Sequence, residues 1–196
     1  MKDTTLELRK LVKKNLDKDR YRHTMGVAHT ASCLAMRYGE DMEKAFIAGL
    51  LHDCAKCIPN DEKYELCERN GIELTESERE IPSLVHAKLG AYLAAGRYGI
   101  EDEDIINAVR THTTGEPGMS LLQKIIFTAD YIEPYRSEAP DLPKVRREAF
   151  IDLDRAICRI ISDTLHYLEK KGGKIDPMTR KTYEYYVQAS KEKPVE

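Results

Sequence analysis

The chain of 196 residues carries 31 basic and 34 acidic side chains, a formal net charge of −3, with 41% apolar and 33% charged residues. That length suits one core burying roughly 70% of the unfolded surface, and grouped apolar residues argue against disorder, while mild acidity argues against a nucleic-acid partner, which needs a basic excess. The longest apolar run, Ala45 to Leu51, is too short to cross a bilayer, Met1-Lys2-Asp3 opens no signal peptide, and five unevenly spaced cysteines make a poor disulfide framework, so a reduced, cytoplasmic setting with no membrane partner is expected.

Apolar periodicity is helical almost throughout, with no convincing period-two strand. It predicts a basic amphipathic helix over 4–16 and a second over 19–38 that stops at Gly39. A nearly all-apolar helix over 42–56 must be buried on most sides. Asn60 caps a polar helix ending at Gly71, and helices over Ser83–Tyr98 and Asp102–His112 follow, each with glycine close behind. Ser120 starts a helix that Pro134 closes, and three prolines between Glu133 and Pro143 mark a surface loop. A long helix over 144–171 ends at Gly172-Gly173, Pro177 begins the last one, and 191–196 reads as a frayed tail. The expectation is an all-α fold, a single-domain helical bundle over 1–190.

Ionisable residues sit on faces that ought to be apolar. His23 shares a stripe with Val27, Ala31 and Leu34; His52 and Asp53 close the apolar run; His86 lies with Leu89, Gly90 and Leu93; His112 lies with Ile105 and Val109; Asp130 lies over Ile126 and Phe127. Any one of these histidines alone is more often a hydrogen-bonded core residue than a ligand, and His29 and His166 are read as core or half-exposed residues. A carboxylate so placed needs a partner, and a metal ion with imidazole co-ligands would satisfy Asp53 and Asp130 together. The small Ala48 and Gly49 one turn before would leave room for the ion. Imidazole with carboxylate suits iron, manganese or zinc better than magnesium or calcium. Cys54 and Cys57, with Cys67 beyond, lack the strand–helix setting of a redox motif and read as apolar filler.

The stretches Arg20-Tyr-Arg-His-Thr-Met-Gly-Val27, Leu50-Leu-His-Asp-Cys-Ala-Lys56, His86-Ala-Lys-Leu-Gly90, Arg110-Thr-His-Thr-Thr-Gly115 and Thr128-Ala-Asp-Tyr-Ile-Glu-Pro-Tyr-Arg136 together carry a resemblance. The chain resembles the HD-domain metal-dependent phosphohydrolases, and within them the YqeK family of symmetrical diadenosine tetraphosphate hydrolases. The resemblance implies an HD-type fold, bound iron (one or two ions), and hydrolysis of the tetraphosphate bridge into two ADP. It makes His23, His52, Asp53 and Asp130 the metal ligands, with His86 and His112 either on a second metal or facing the substrate phosphates. Asp53 would bridge two ions if two bind.

The chemistry expected from that likeness is in-line attack by metal-bound hydroxide, with Asp53 in the catalytic set and His112, then His86, as candidate general acid. Arg20, His23, Lys56, His86, His112, Thr113 and Arg136 are expected to contact substrate, and the turn carrying Gly173 and Ile175 to border the adenine. Taken alone, Arg20, Lys56 and Arg136 read as ordinary solvated charges. The partners expected are the nucleotide substrate and ADP, and the oligomeric state is left open, a homodimer included. Two other functions stay open: an HD phosphohydrolase acting on another nucleotide, and a non-catalytic nucleotide- and metal-binding module.

Overall fold

Most helices start at side-chain caps that the chain supplies. In the computed structural model, which describes residues 3–192, α1 (Asp3–Asn15) passes to α2 (Lys18–Tyr38) through Asp17, whose carboxylate accepts the Arg20 amide. Gly39 ends α2 in the left-handed region at φ 77°, where a side chain would be strained. Asp41 caps α3 (Met42–Leu51) by accepting the Glu43 and Lys44 amides. There follow α4 (Asn60–Arg69), α5 (Glu76–Glu80), α6 (Val85–Gly96), α7 (Glu103–Thr111), α8 (Leu121–Ile132), α9 (Leu142–Ala149), α10 (Leu153–Lys170) and α11 (Pro177–Glu192). Asp102 caps α7, and Ser120 with Gln123 forms a reciprocal capping box on α8. No strand occurs among the described residues, so the all-α expectation holds.

Several boundaries differ from the periodicity. The helix expected over 42–56 ends at Leu51, and the next residues wind more tightly, with the Cys54 amide on Leu51 O at 3.0 Å and the Lys56 amide on Asp53 O at 2.9 Å. Pro59, not Asn60, stands before the first residue of α4, while the Asn60 side chain accepts from Lys63. The short α5 was not anticipated, although Thr75 and Glu78 form a full capping box. The expected helix over 144–171 is broken at 150–152, where the Phe150 and Ile151 amides fold back onto Arg147 and Glu148 and Asp152 caps α10. Pro143 falls inside the first turn of α9, a position where a missing N–H costs nothing. Residues 191 and 192 belong to α11, so the tail expected over 191–196 begins later, and 193–196 lie outside the described residues.

Three apolar clusters organise the packing. The largest joins α2, α3, α7, α8, α10 and α11 through Leu34, Ala48, Ala108, Ile125, Ile157 and Tyr186. A second fastens α1 to α3, α6 and α7 through Val12, Leu50, Ala91 and Val109, and a third seats α4 on α6 through Cys67, Val85 and Leu89. α2 and α3 approach until their backbones touch: a Cβ on Gly49 would lie 2.8 Å from Ala28 Cα. The space left by the missing side chain is therefore filled by α2, and Ala48 is packed in the core, which corrects the expectation that both leave room for an ion. No helix among the described residues is long and apolar enough to cross a membrane.

Candidate metal centre

The tight turn after α3 presents His52 and Asp53 to α2, α6, α7 and α8. His52 Nδ1 donates to the Gly49 carbonyl at 2.7 Å, one turn back, and its Nε2 points away from its own helix. His86 does the same on Ser83 O at 2.6 Å, and His112 on Val109 O at 2.7 Å. A carbonyl oxygen only accepts, so each Nδ1 carries a proton and each Nε2 is the ring atom left to face the other groups. In His23 the Nδ1 partner is a carboxylate, Glu133 Oε1 at 3.2 Å. One tautomer recurs in all four rings, and all four Nε2 atoms converge on Asp53.

Asp53 divides them. Its Oδ2 lies 3.3 Å from His52 Nε2 and 3.7 Å from His23 Nε2, while its Oδ1 lies 3.0 Å from His86 Nε2 and 3.7 Å from His112 Nε2. Asp130 Oδ1 completes the first group at 3.1 Å from His23 Nε2 and 3.9 Å from His52 Nε2. Within each group two ring nitrogens face each other, His23 to His52 at 3.3 Å and His86 to His112 at 3.0 Å. With the Nδ1 protons committed elsewhere, those contacts set lone pair against lone pair unless a proton or a cation lies between. Two sets of donors, His23-His52-Asp130 and His52-Asp53-His112, are close enough to hold an ion. The imidazole and carboxylate donors fit a divalent first-row metal.

The fields of these groups are strong. Burial pushes the Asp53 carboxyl up, but His52, His112 and His86 outweigh it and hold Asp53 well below the usual carboxylate range. Burial likewise opposes ionisation of Asp130, and His23, His52 and Arg136 again win, so it too stays an anion. His23 loses basicity to burial and regains more from Asp130, Asp53 and Glu133. Burial dominates at His86, which falls to about 4 and is neutral near pH 7. His52, Asp53, His86 and His112 are buried, whereas His23 and Asp130 are partly open and form the exposed side of the cluster.

The expected phosphate contacts surround this centre, already engaged with its acids. Arg20 donates from Nη1 to Asp53 Oδ2 at 2.8 Å. Arg136 donates to the Asp130 backbone carbonyl and to its Oδ1 at 3.1 Å. Lys56 Nζ lies 3.4 Å from His86 Nε2 and 4.0 Å from Asp53 Oδ1. The reading of these three as solvated charges therefore does not describe them. A cavity of about 390 Å³ adjoins the cluster, lined by His112, Thr113, Asp130, Tyr131, Arg136 and Tyr167 among others. Gly173 and Ile175 lie in the α10–α11 turn and do not line it. His29 and His166 are exposed and outside the cluster, so they are not core residues. Cys54 and Cys67 are buried filler as expected, but Cys57 is exposed, with its thiol on Asp17.

Sequence reasoning missed Glu133, which it placed only at the start of a loop. Its carboxylate is 2% exposed, holds His23 Nδ1 with Oε1, and accepts the Tyr135 amide with Oε2 at 2.7 Å. Gly26 gives it room, since a Cβ there would collide with Oε2. The signal was the three-residue step from Asp130, which puts both acids on one face of α8 as it ends. Arg146 fastens this end of α8 by donating to the carbonyls of Ile132, Glu133 and Arg136.

The HD domain pattern matches residues 20–135, the segment that holds all the clustered histidines and aspartates. The chain is 43% identical over 179 residues to a symmetrical bis(5'-nucleosyl)-tetraphosphatase of Bacillus subtilis, covering 91% of this chain and 95% of that one. It is 46% identical over 177 residues to a protein of the same name from Halalkalibacterium halodurans, covering 88% and 91%. A crystal structure of a predicted HD superfamily hydrolase involved in NAD metabolism, from Clostridium acetobutylicum, superposes with a TM-score of 0.90 at 40% identity, over 93% of this chain and 96% of the other. With that fold, that donor cluster and these relatives, the chain belongs to the HD-domain family and, within it, to the YqeK-type branch.

Proposed function

We propose that the protein is a metal-dependent phosphohydrolase that cleaves diadenosine tetraphosphate symmetrically, adding one water and releasing two ADP. The observation that carries this reading is the convergence of His23, His52, Asp53 and Asp130 in a chain that spans nearly the whole length of relatives named for that activity. These four residues are the proposed ligands, and iron is the proposed metal, with manganese or zinc as alternatives; a second ion, if bound, would use His86 and His112, with Asp53 common to both. A divalent ion supplies Lewis acidity, making hydroxide available near neutral pH and withdrawing charge from a phosphate oxygen.

The protein's own groups do the rest. Lys56, Arg20 and Arg136 stand around the cluster with donors directed at its carboxylates, and a bound polyphosphate offers them further anionic oxygens. The bridge phosphates thus lie across the open His23–Asp130 side, while the buried imidazoles behind keep water out. The facing Nε2 atoms of His86 and His112 can hold one proton between them. His112, which also lines the cavity, is the proposed donor to the departing ADP, and His86 the second choice. The cavity takes one nucleoside against Tyr131 and Tyr167, with Thr113 at its phosphate end. The Gly173–Ile175 turn follows α10, which carries Tyr167, but lies outside the lining of this cavity, so it is left out of the proposed nucleoside contacts. A cytoplasmic setting belongs to the same proposal.

Product chromatography tests it. Protein supplied with ferrous iron should convert diadenosine tetraphosphate to ADP alone, and metal-stripped protein should not turn over. AMP plus ATP as products, or turnover unaffected by chelation, contradicts the reading.

A further inference from the structure

Two cavities of unlike character flank the cluster, with Arg136 and Glu138 on the wall common to both. The first is the one lined by Tyr131 and Tyr167. The second, about 660 Å³, is more polar and lies beyond His23, lined by Asp17, Asp19, Arg20, Tyr135 and Glu138. A substrate with two identical ADP halves must place one on each side of the bond that breaks. We propose that the second cavity holds the other nucleoside, stacked on Tyr135, and that its acidic rim selects dinucleoside over mononucleoside polyphosphates. The proposal rests on the hydrolase reading above.

Tyr135 is built as a platform. Its ring lies beside Gly26 and 5.4 Å from the Arg22 guanidinium on α2, yet the residue is 57% exposed. Its amide is held by Glu133, the carboxylate that also holds His23, so the platform and the cluster share one fixed point. Stacking on an aromatic face needs no base-specific hydrogen bond. Arg20 lines the same cavity while touching Asp53, which places a cation where the phosphate chain would leave the cluster. Farther out the lining turns acidic: Asp17, Asp19 and Glu138 are exposed, with Arg22 3.4 Å from Asp19 and Arg20 beside Asp17. A nucleoside is neutral and is tolerated beside these carboxylates. A terminal phosphate would carry its charge to the same place and be repelled.

The test compares kcat/KM for diadenosine tetraphosphate with that for adenosine 5'-tetraphosphate, at low ionic strength. The second substrate has the same phosphates and lacks the second nucleoside; water cleaves it to ADP and pyrophosphate. Wild-type protein should prefer the dinucleotide. Tyr135→Ala should lower that preference by about 5- to 150-fold, the value of one base–aromatic stack, and Tyr135→Phe should retain it. Asp19→Asn combined with Glu138→Gln should lower it by raising mononucleotide turnover, an effect that fades with added salt. Metal content and Tm are measured on each variant, and the surface pair keeps the test decisive if Tyr135→Ala folds poorly. A preference within twofold of wild type in Tyr135→Ala, or no gain in the pair, overturns the inference. Failure of the wild type to yield two ADP overturns the hydrolase reading instead.

Discussion

Replacing Glu133 by alanine removes a buried carboxyl group from behind His23 while leaving every proposed ligand in the chain. Its Oε1 accepts a hydrogen bond from His23 Nδ1 at 3.2 Å, which orients the ring and leaves Nε2 for the cluster. A hydrogen bond to a charged group is worth about 1.5–3 kcal/mol, or about 10- to 150-fold in an equilibrium constant. Loss of such an outer partner of a metal-bound imidazole costs about 10- to 100-fold in metal affinity, the same range. Competition against a coloured chelator reads this directly, with the Tm of metal-free protein reporting any general loss of structure. Glu133→Ala should weaken metal binding by that factor. Glu133→Gln, which keeps an acceptor oxygen but not the charge, should weaken it less, and Gly26→Ala, which drives a methyl into Oε2, should also weaken it. Affinity within twofold of wild type in Glu133→Ala would refute the reasoning.

Other perturbations follow from the same geometry. Gly49→Ala puts a methyl 2.8 Å from Ala28 Cα, an overpacking cost of about 1–3 kcal/mol that exceeds the roughly 1 kcal/mol gained in helix propensity. Metal-free protein should melt lower, by up to about 8 °C, and a raised Tm would show that α2 yields freely. Lys56→Ala and Arg136→Ala should each lower kcat/KM by about 10- to 150-fold, the worth of one charged hydrogen bond to a phosphate. A change below twofold in steady-state assays would mean that the phosphates lie elsewhere.

Much of the centre was legible because its signals are local. A histidine on an apolar helical stripe, or a His-Asp pair at the end of an apolar run, is out of place within its own helix, and His23, His52, Asp53, His86, His112 and Asp130 all come together. What escaped depends on contacts between helices. The break at 150–152 interrupts an amphipathic pattern that runs on at the level of residue type, with Glu148 joined across it to Arg155 and Arg159. Gly49 looked like space for an ion because the backbone of α2 cannot be seen from α3. Arg20 and Arg136 looked like surface charges, because their acidic partners, Asp53 and Asp130, are brought to them by folding or by a turn back onto the end of α8.

The most direct measurement is elemental analysis of protein purified without added metal, set beside that of Asp53→Ala. Asp53 presents one oxygen to the His23–His52 pair and the other to the His86–His112 pair, so its removal takes a donor from both. The account predicts a transition metal, foremost iron, in stoichiometric amount in the wild type, and its loss from Asp53→Ala together with hydrolysis, with far-UV helicity preserved. A fully metal-loaded and active Asp53→Ala protein would contradict it.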